Sequence, residues 1–114
     1  MNEDTNEINW KDFSKIEMRV GTILKAKEFP EAKKPAYQLE IDFGEYGIKK
    51  SSAQITELYE LKDLIGRKIV AVVNFPPKQI ANFMSECLVL GAVDDDEICL
   101  LSVGESAKNG LRIA

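Results

Sequence analysis

Five lysines stand where they could meet a polyanion: the pairs Lys33-Lys34 and Lys49-Lys50, and Lys78 just past a Pro76-Pro77 corner. Gln54, Asn74, Asn82 and Ser85 fall in or beside the same segments, as do the rings of Tyr37, Phe75 and Phe83. Ammonium groups contact phosphate, amides and hydroxyls reach phosphates or base edges, and aromatic rings stack on unpaired bases at roughly 1 to 3 kcal/mol each. A plainer meaning stands beside this one. Lysine pairs on hairpins shield sheet edges from association, and Phe75 and Phe83 fit core rings better than stacking platforms, because aromatic rings dominate interiors.

Other chemistry is poorly provided for. Histidine is absent, which excludes imidazole-activated nucleophiles, His acid–base pairs and His-ligated metals. Cys87 and Cys99 lie in apolar stretches without a Cys-x-x-Cys spacing, so they are expected to be plain buried thiols. Asp94-Asp95-Asp96-Glu97 lacks the alternating spacing and central glycine of an EF-hand loop and suits a solvated turn. Neither a Gly-rich phosphate loop nor a nucleophile elbow is present. The expectation is a binding protein with no catalytic residue, no metal and no cofactor.

The net charge of −4 over 114 residues argues against a polyanion partner only if charge is spread evenly. It is not: Glu3, Asp4 and Glu7 crowd the start and Asp94 to Glu97 form a second acidic block. The remaining chain is net positive, and exposed charges act only over about 8 to 10 Å at physiological salt. Acidic self-repulsion would then discourage contacts that miss a basic face. Apolar residues make up 45% and charged residues 30%, as in an ordinary globular domain. No apolar run approaches the roughly 20 residues that cross a bilayer, and MNEDTNEIN is acidic where a signal peptide is basic. A cytoplasmic protein without membrane insertion is expected.

The elements that must position these groups are legible as periodicities. Residues 1–9 are expected to be a flexible acidic N-terminus and 10–114 one domain. Asn9 is placed to cap a short helix from Trp10 to Lys15, with Asp12 completing a capping box and Ile8 and Phe13 at hydrophobic-staple positions. Met18, Val20, Thr22, Leu24 and Ala26 alternate with Arg19, Gly21, Ile23, Lys25 and Lys27, the two-residue period of a strand, and Gly21 suggests a bend or bulge. Tyr37, Leu39, Ile41 and Phe43 alternate more strictly, and Gly44 to Gly47 turn a hairpin into Ile48–Ser52. Ile55, Leu58, Tyr59 and Leu61 have helical spacing. Lys68–Asn74 is a buried strand, residues 76–86 a corner and polar connection, and Cys87–Leu90 and Ile98–Leu101 two strands joined by the acidic turn. Leu111 to Ile113 adds a last short one. This all-β pattern predicts a five-stranded Greek-key barrel such as the OB-fold, with a short N-terminal helix and a C-terminal strand extension; a flat sandwich is the alternative. In such a barrel the second and third strands and the loops after the first and fourth share one ligand face, where the five lysines would converge.

Several segments taken in order carry a resemblance: Met18 to Ile23 (MRVGTI), Phe29 to Ala32 (FPEA), Ile41 to Gly44 (IDFG), Ser51 to Thr56 (SSAQIT), Val72 to Pro77 (VVNFPP) and Ser85 to Leu90 (SECLVL). From Trp10 to the C-terminus the chain resembles the tRNA-binding domain family, including stand-alone members described as chaperones linked to protein export. The resemblance implies an OB-fold homodimer that binds the tRNA body by shape and backbone. The family's Ser-Glu-Gly-Met segment falls here on Ser85, Glu86, Cys87 and Leu88, so Ser85 carries over and the methionine's role does not; Asn74 and Lys78 carry over too. Joined with the lysines and Gln54 that the barrel pattern puts on the ligand face, these make the expected tRNA site Lys33, Lys34, Lys49, Lys50, Gln54, Asn74, Lys78 and Ser85.

The apolar residues at the two ends, Trp10, Phe13 and Ile16 with Leu111 and Ile113, are more than a small barrel need bury alone. They are expected to form the seam of the homodimer, since symmetric pairing is the commonest way to cover such a patch. The competing reading is a groove for extended segments of unfolded secretory preproteins.

Overall fold

The structure is a computed structural model that describes residues 6–114; residues 1–5 of the expected flexible N-terminus lie outside it. In chain order the elements are α1 (Trp10–Ser14), β1 (Met18–Glu28), β2 (Tyr37–Asp42), β3 (Ile48–Ala53), α2 (Leu61–Leu64), β4 (Lys68–Val72), β5 (Lys78–Ile80), β6 (Phe83–Ser85), β7 (Leu88–Val89), β8 (Gly91–Asp94) and β9 (Glu97–Leu100). The strict alternation of β2 fixes the interior: Tyr37, Leu39 and Ile41 are buried, while Gln38, Glu40 and Asp42 turn outward. Around it the antiparallel order is β3-β2-β1-β4-β7. Ile23, Phe43, Leu64 and Ile69 complete the core with Leu39 and Ile41.

The gap between β3 and the segment entering β7 is closed by hydrogen bonds. Glu86 N donates to Lys50 O at 2.7 Å, Ser51 Oγ to Cys87 O at 3.0 Å, and Ser52 N to Ser85 Oγ at 3.1 Å. The result is a nearly closed five-stranded barrel with a short N-terminal helix, an OB-fold. The tail adds to β1 as expected: Val20 N donates to Leu111 O, Ile113 N to Met18 O, and Arg112 bridges Arg19. Asn9 and Asp12 form both halves of the capping box on α1. No residue of that helix is buried, so it lies on the barrel rather than in it.

Five expectations are corrected. The helical spacing of Ile55 to Leu61 yields only the single turn α2, because Ile55 is drawn into the core and Tyr59 is held from both ends, Tyr37 Oη donating to its carbonyl and Leu100 N to its hydroxyl. The polar connection after the corner is a hairpin, β5–β6, turning at Ala81 with φ 51°; it lacks the Asn-Gly signal that advertises such turns. Cys87–Leu90 shrinks to β7, and the acidic turn belongs to a separate hairpin, β8–β9. Cys99 is exposed, because its neighbour Leu100 takes the inward position; Cys87 is buried. The bulge of β1 lies at Leu24, between Ile23 and Lys25, rather than at Gly21. Gly21 is instead a close-packing position: a Cβ there would fall 2.6 Å from Ile41 Cγ2 and 2.7 Å from the Phe43 ring.

Candidate nucleic-acid interface

The bulge at Leu24 decides what the outer face of the sheet carries. An extra residue in one strand reverses the side on which the following residues project. Ile23 pairs with Ile41 inside the barrel, yet Lys25 pairs with Glu40 and Lys27 with Gln38, both outside. On the other flank Glu40 pairs with Lys50 and Gln38 with Ser52. Two rows therefore cross the outer sheet side by side, Lys25–Glu40–Lys50 and Lys27–Gln38–Ser52.

Lys25, Glu40 and Lys50 of the first row and Lys27 and Gln38 of the second floor a groove of about 900 Å³. One wall is the loop after β1, through Pro30 and Glu31; the other is the tip of the β5–β6 hairpin, through Asn82 and Phe83. The walls touch at one end, where the Phe83 ring packs on Phe29 with centroids 5.5 Å apart. Glu28 also lines the groove. Its lysines are thus matched by carboxylates, and attraction for an anion is confined to short range.

The sequence-derived site residues are not all brought together. Lys50 lies in the groove. Lys33 and Lys34 stand on the loop that forms one wall but line neighbouring recesses, Lys33 beside Tyr37 and Lys34 with Gln54, Glu57, Asp95 and Asp96. Lys78 is exposed at the base of the hairpin that forms the other wall. Lys49 points the opposite way from Lys50, since successive residues of a strand alternate; on the barrel side, with Ser51, its charge helps hold the Glu17 carboxyl below its ordinary value, behind the dominant hydrogen bond from Arg19. Asn74 and Ser85 are engaged within the fold. Asn74 Nδ2 donates to Lys15 O at 2.7 Å and its Oδ1 accepts from Glu17 N at 3.0 Å, while Ser85 Oγ accepts from Ser52 N in the closing seam.

Of the three rings, Tyr37 is core, Phe83 is half-buried in the groove wall, and Phe75 is 55% exposed at the corner. Leu88, at the methionine position, is exposed. Burial pushes the Cys87 thiol up to about 12, so it stays protonated and unreactive at neutral pH. Sequence reading missed Lys25 and Lys27 because it limited the ligand face to the second and third strands and the loops after the first and fourth, leaving the first strand itself out. At the far end of β1, Trp10 is 85% exposed, Ile16 and Leu111 are exposed, and Phe13 and Ile113 are half-buried. Arg112 ties these two termini together, its Nη2 donating to Ser14 O at 2.9 Å.

Residues 18–112 match the family model described as "Putative tRNA binding domain". The chain belongs to the tRNA-binding domain family. A CsaA chaperone from Bacillus anthracis has a solved structure 52% identical, with a TM-score of 0.90, matching 95% of this chain and 99% of that one. A CsaA chaperone protein from Picrophilus torridus is 55% identical with a TM-score of 0.89 over 95% of this chain and 100% of its own. The methionine–tRNA ligase of Bdellovibrio bacteriovorus is 35% identical over 94% of this chain. Only 16% of that ligase is matched, so the family domain is a small part of the curated relatives.

Proposed function

We propose that the protein binds tRNA without catalysing a reaction on it, acting as a CsaA-type module on the outer face of its barrel. Membership of the tRNA-binding domain family carries this reading, and the lysine-floored groove between two polar walls supports it. Lys50 contacts phosphate directly, and Lys33, Lys34 and Lys78 attract the backbone from the flanking elements. Asn74 and Ser85 act by holding the corner and the seam in shape, and Gln54 supplements the loop. A homodimer joined through Trp10, Phe13, Ile16, Leu111 and Ile113 places two such faces on one RNA and raises effective affinity without new contacts. This reading puts the protein in the cytoplasm, where tRNA is used. Among the described residues no helix is long and apolar enough to cross a membrane.

A salt titration of tRNA binding tests the reading. For about five phosphates engaged, log K falls with log salt at a slope of roughly −3.5 to −4.5; a slope near zero overturns it. A second reading, a chaperone for unfolded preproteins during export, is favoured by the exposed apolar residues at the two termini and by the similarity to CsaA chaperones. Suppression of client aggregation that tRNA does not compete away would place that activity on a different surface.

A further inference from the structure

The groove floor contains a feature that simple cation counting misses. Glu40 is centred between two lysines, with Lys25 directly across from it on β1 and Lys50 directly across on β3. Directly opposed side chains on one face have Cβ atoms about 4.5–5.5 Å apart, so both ammonium groups feel the one carboxylate. Among the described residues the salt bridges lie elsewhere, at Arg19–Glu17 and Lys62–Glu60. Glu40 is therefore flanked by both lysines and clamped by neither. Neighbouring strands are about 4.8 Å apart, so the floor from β1 to β3 is roughly 10 Å wide. That width suits one polynucleotide strand lying across the row.

We propose that the row Lys25–Glu40–Lys50, extended by Lys27, is the phosphate-binding element of the groove, and that Glu40 is its affinity-limiting residue. A phosphate entering the row takes the place Glu40 holds between the lysines. It binds only when its attraction to two or three ammonium groups exceeds its repulsion from the carboxylate and the loss of theirs. Glu40 thereby sets how tightly the face holds RNA and keeps stray polyanions from occupying it. This inference rests on the tRNA reading but assigns its contacts to residues outside the loop lysines.

The test measures tRNA affinity against salt for the wild type, Lys25→Gln, Lys50→Gln, Glu40→Gln, the double variant Lys25→Gln/Lys50→Gln and the triple variant Lys25→Gln/Lys50→Gln/Glu40→Gln. Each lysine change is expected to weaken binding and make the slope shallower by about 0.7–0.9. Glu40→Gln is expected to tighten binding about fourfold, the effect of one charge removed at ~5 Å in a water-like dielectric, and to steepen the slope. With both lysines gone no phosphate is drawn into the row beside Glu40, so the triple variant should gain much less over the double than Glu40→Gln gains over the wild type. Reagent labelling of lysines gives a second readout: tRNA should protect Lys25, Lys27 and Lys50 and leave Lys49 reactive.

If the wild type binds tRNA with the expected salt slope but Glu40→Gln leaves affinity unchanged or weaker, the inference is overturned and the tRNA reading stands. Protection of Lys49 without Lys25 has the same meaning. Failure of the wild type to bind tRNA removes both together.

Discussion

The closing seam and the groove floor lie on adjoining strands and use similar residue types, yet they treat polar atoms in opposite ways. In the seam polar groups are tied to protein partners: Ser51 and Ser85 bond across the gap, Glu86 bonds Lys50 through backbone and side chain, and among the described residues no buried side-chain polar atom is left unsatisfied. On the floor, Lys25, Glu40 and Lys50 meet in register without a salt bridge. Polar groups that close a barrel are spent on the fold, and polar groups held in rows without direct bonds remain available to a ligand. Asn74 and Ser85 belong by geometry to the first kind, although family resemblance marks them for the second.

Substitutions can break or sharpen this contrast. The largest effect is expected from Gly21→Ala, whose new methyl group meets Ile41 and Phe43 inside the barrel. Overpacking of this kind costs about 2–3 kcal/mol, so the thermal midpoint should fall by about 10 °C, with tRNA affinity unchanged well below that midpoint. The triple change Lys25→Gln, Lys27→Gln and Lys50→Gln should do the reverse: if each lysine contributes about fourfold, affinity falls roughly 60-fold while the midpoint barely moves. A large loss of stability in that variant would erase the distinction between the two regions.

Ser85→Ala tests the boundary. It leaves Ser52 N without its acceptor, which should cost about 1–1.5 kcal/mol of stability and leave affinity within about twofold at temperatures where the protein is folded. Lost affinity at unchanged stability would make Ser85 a ligand contact and move it to the other side of the contrast. The smallest effect is expected at Glu17. Its hydrogen bond from Arg19 holds the carboxyl below its ordinary value of 4.5, so the stabilisation is complete above that pH and is lost as the pH falls through the lowered value. The midpoint difference between wild type and Glu17→Gln should shrink on acidification below pH 4.5; a constant difference would show that the pair contributes nothing through its charge.

How far the sequence could be read follows the same division. The alternation of β2, the hairpin into β3, the capping box at Asn9 and the Pro76-Pro77 corner are local patterns, and each stands where its residues put it. The bulge at Leu24 has no local signal, because no glycine marks it and only the pairing partners Ile41 and Glu40 reveal the extra residue. That one shift is why Lys25 and Lys27 share a face with Glu40 and Gln38 while Ile23, which plain alternation groups with them, pairs with Ile41 inside the barrel. The β5–β6 hairpin is hidden for a related reason: its turn uses Ala81 in a left-handed conformation that favours Gly or Asn. Asn74 and Ser85 were visible as polar residues, but their partners lie far away in sequence, Lys15 and Glu17 for one and Ser52 for the other.

The fastening of both termini beside Met18 has a practical consequence. Ile113 bonds Met18 and Arg112 bonds Ser14, whereas the groove begins at Leu24 and runs to Glu28 on the same strand. Met18 and Lys27 are separated by roughly 25–30 Å of extended chain. A tag or fused domain placed after Ala114 would leave the barrel at the pole where Ile113 bonds Met18, far from the sheet between Leu24 and Glu28. It would stand beside the apolar cluster of Trp10, Ile16 and Leu111, so its bulk would strain the proposed dimer while sparing the proposed RNA face.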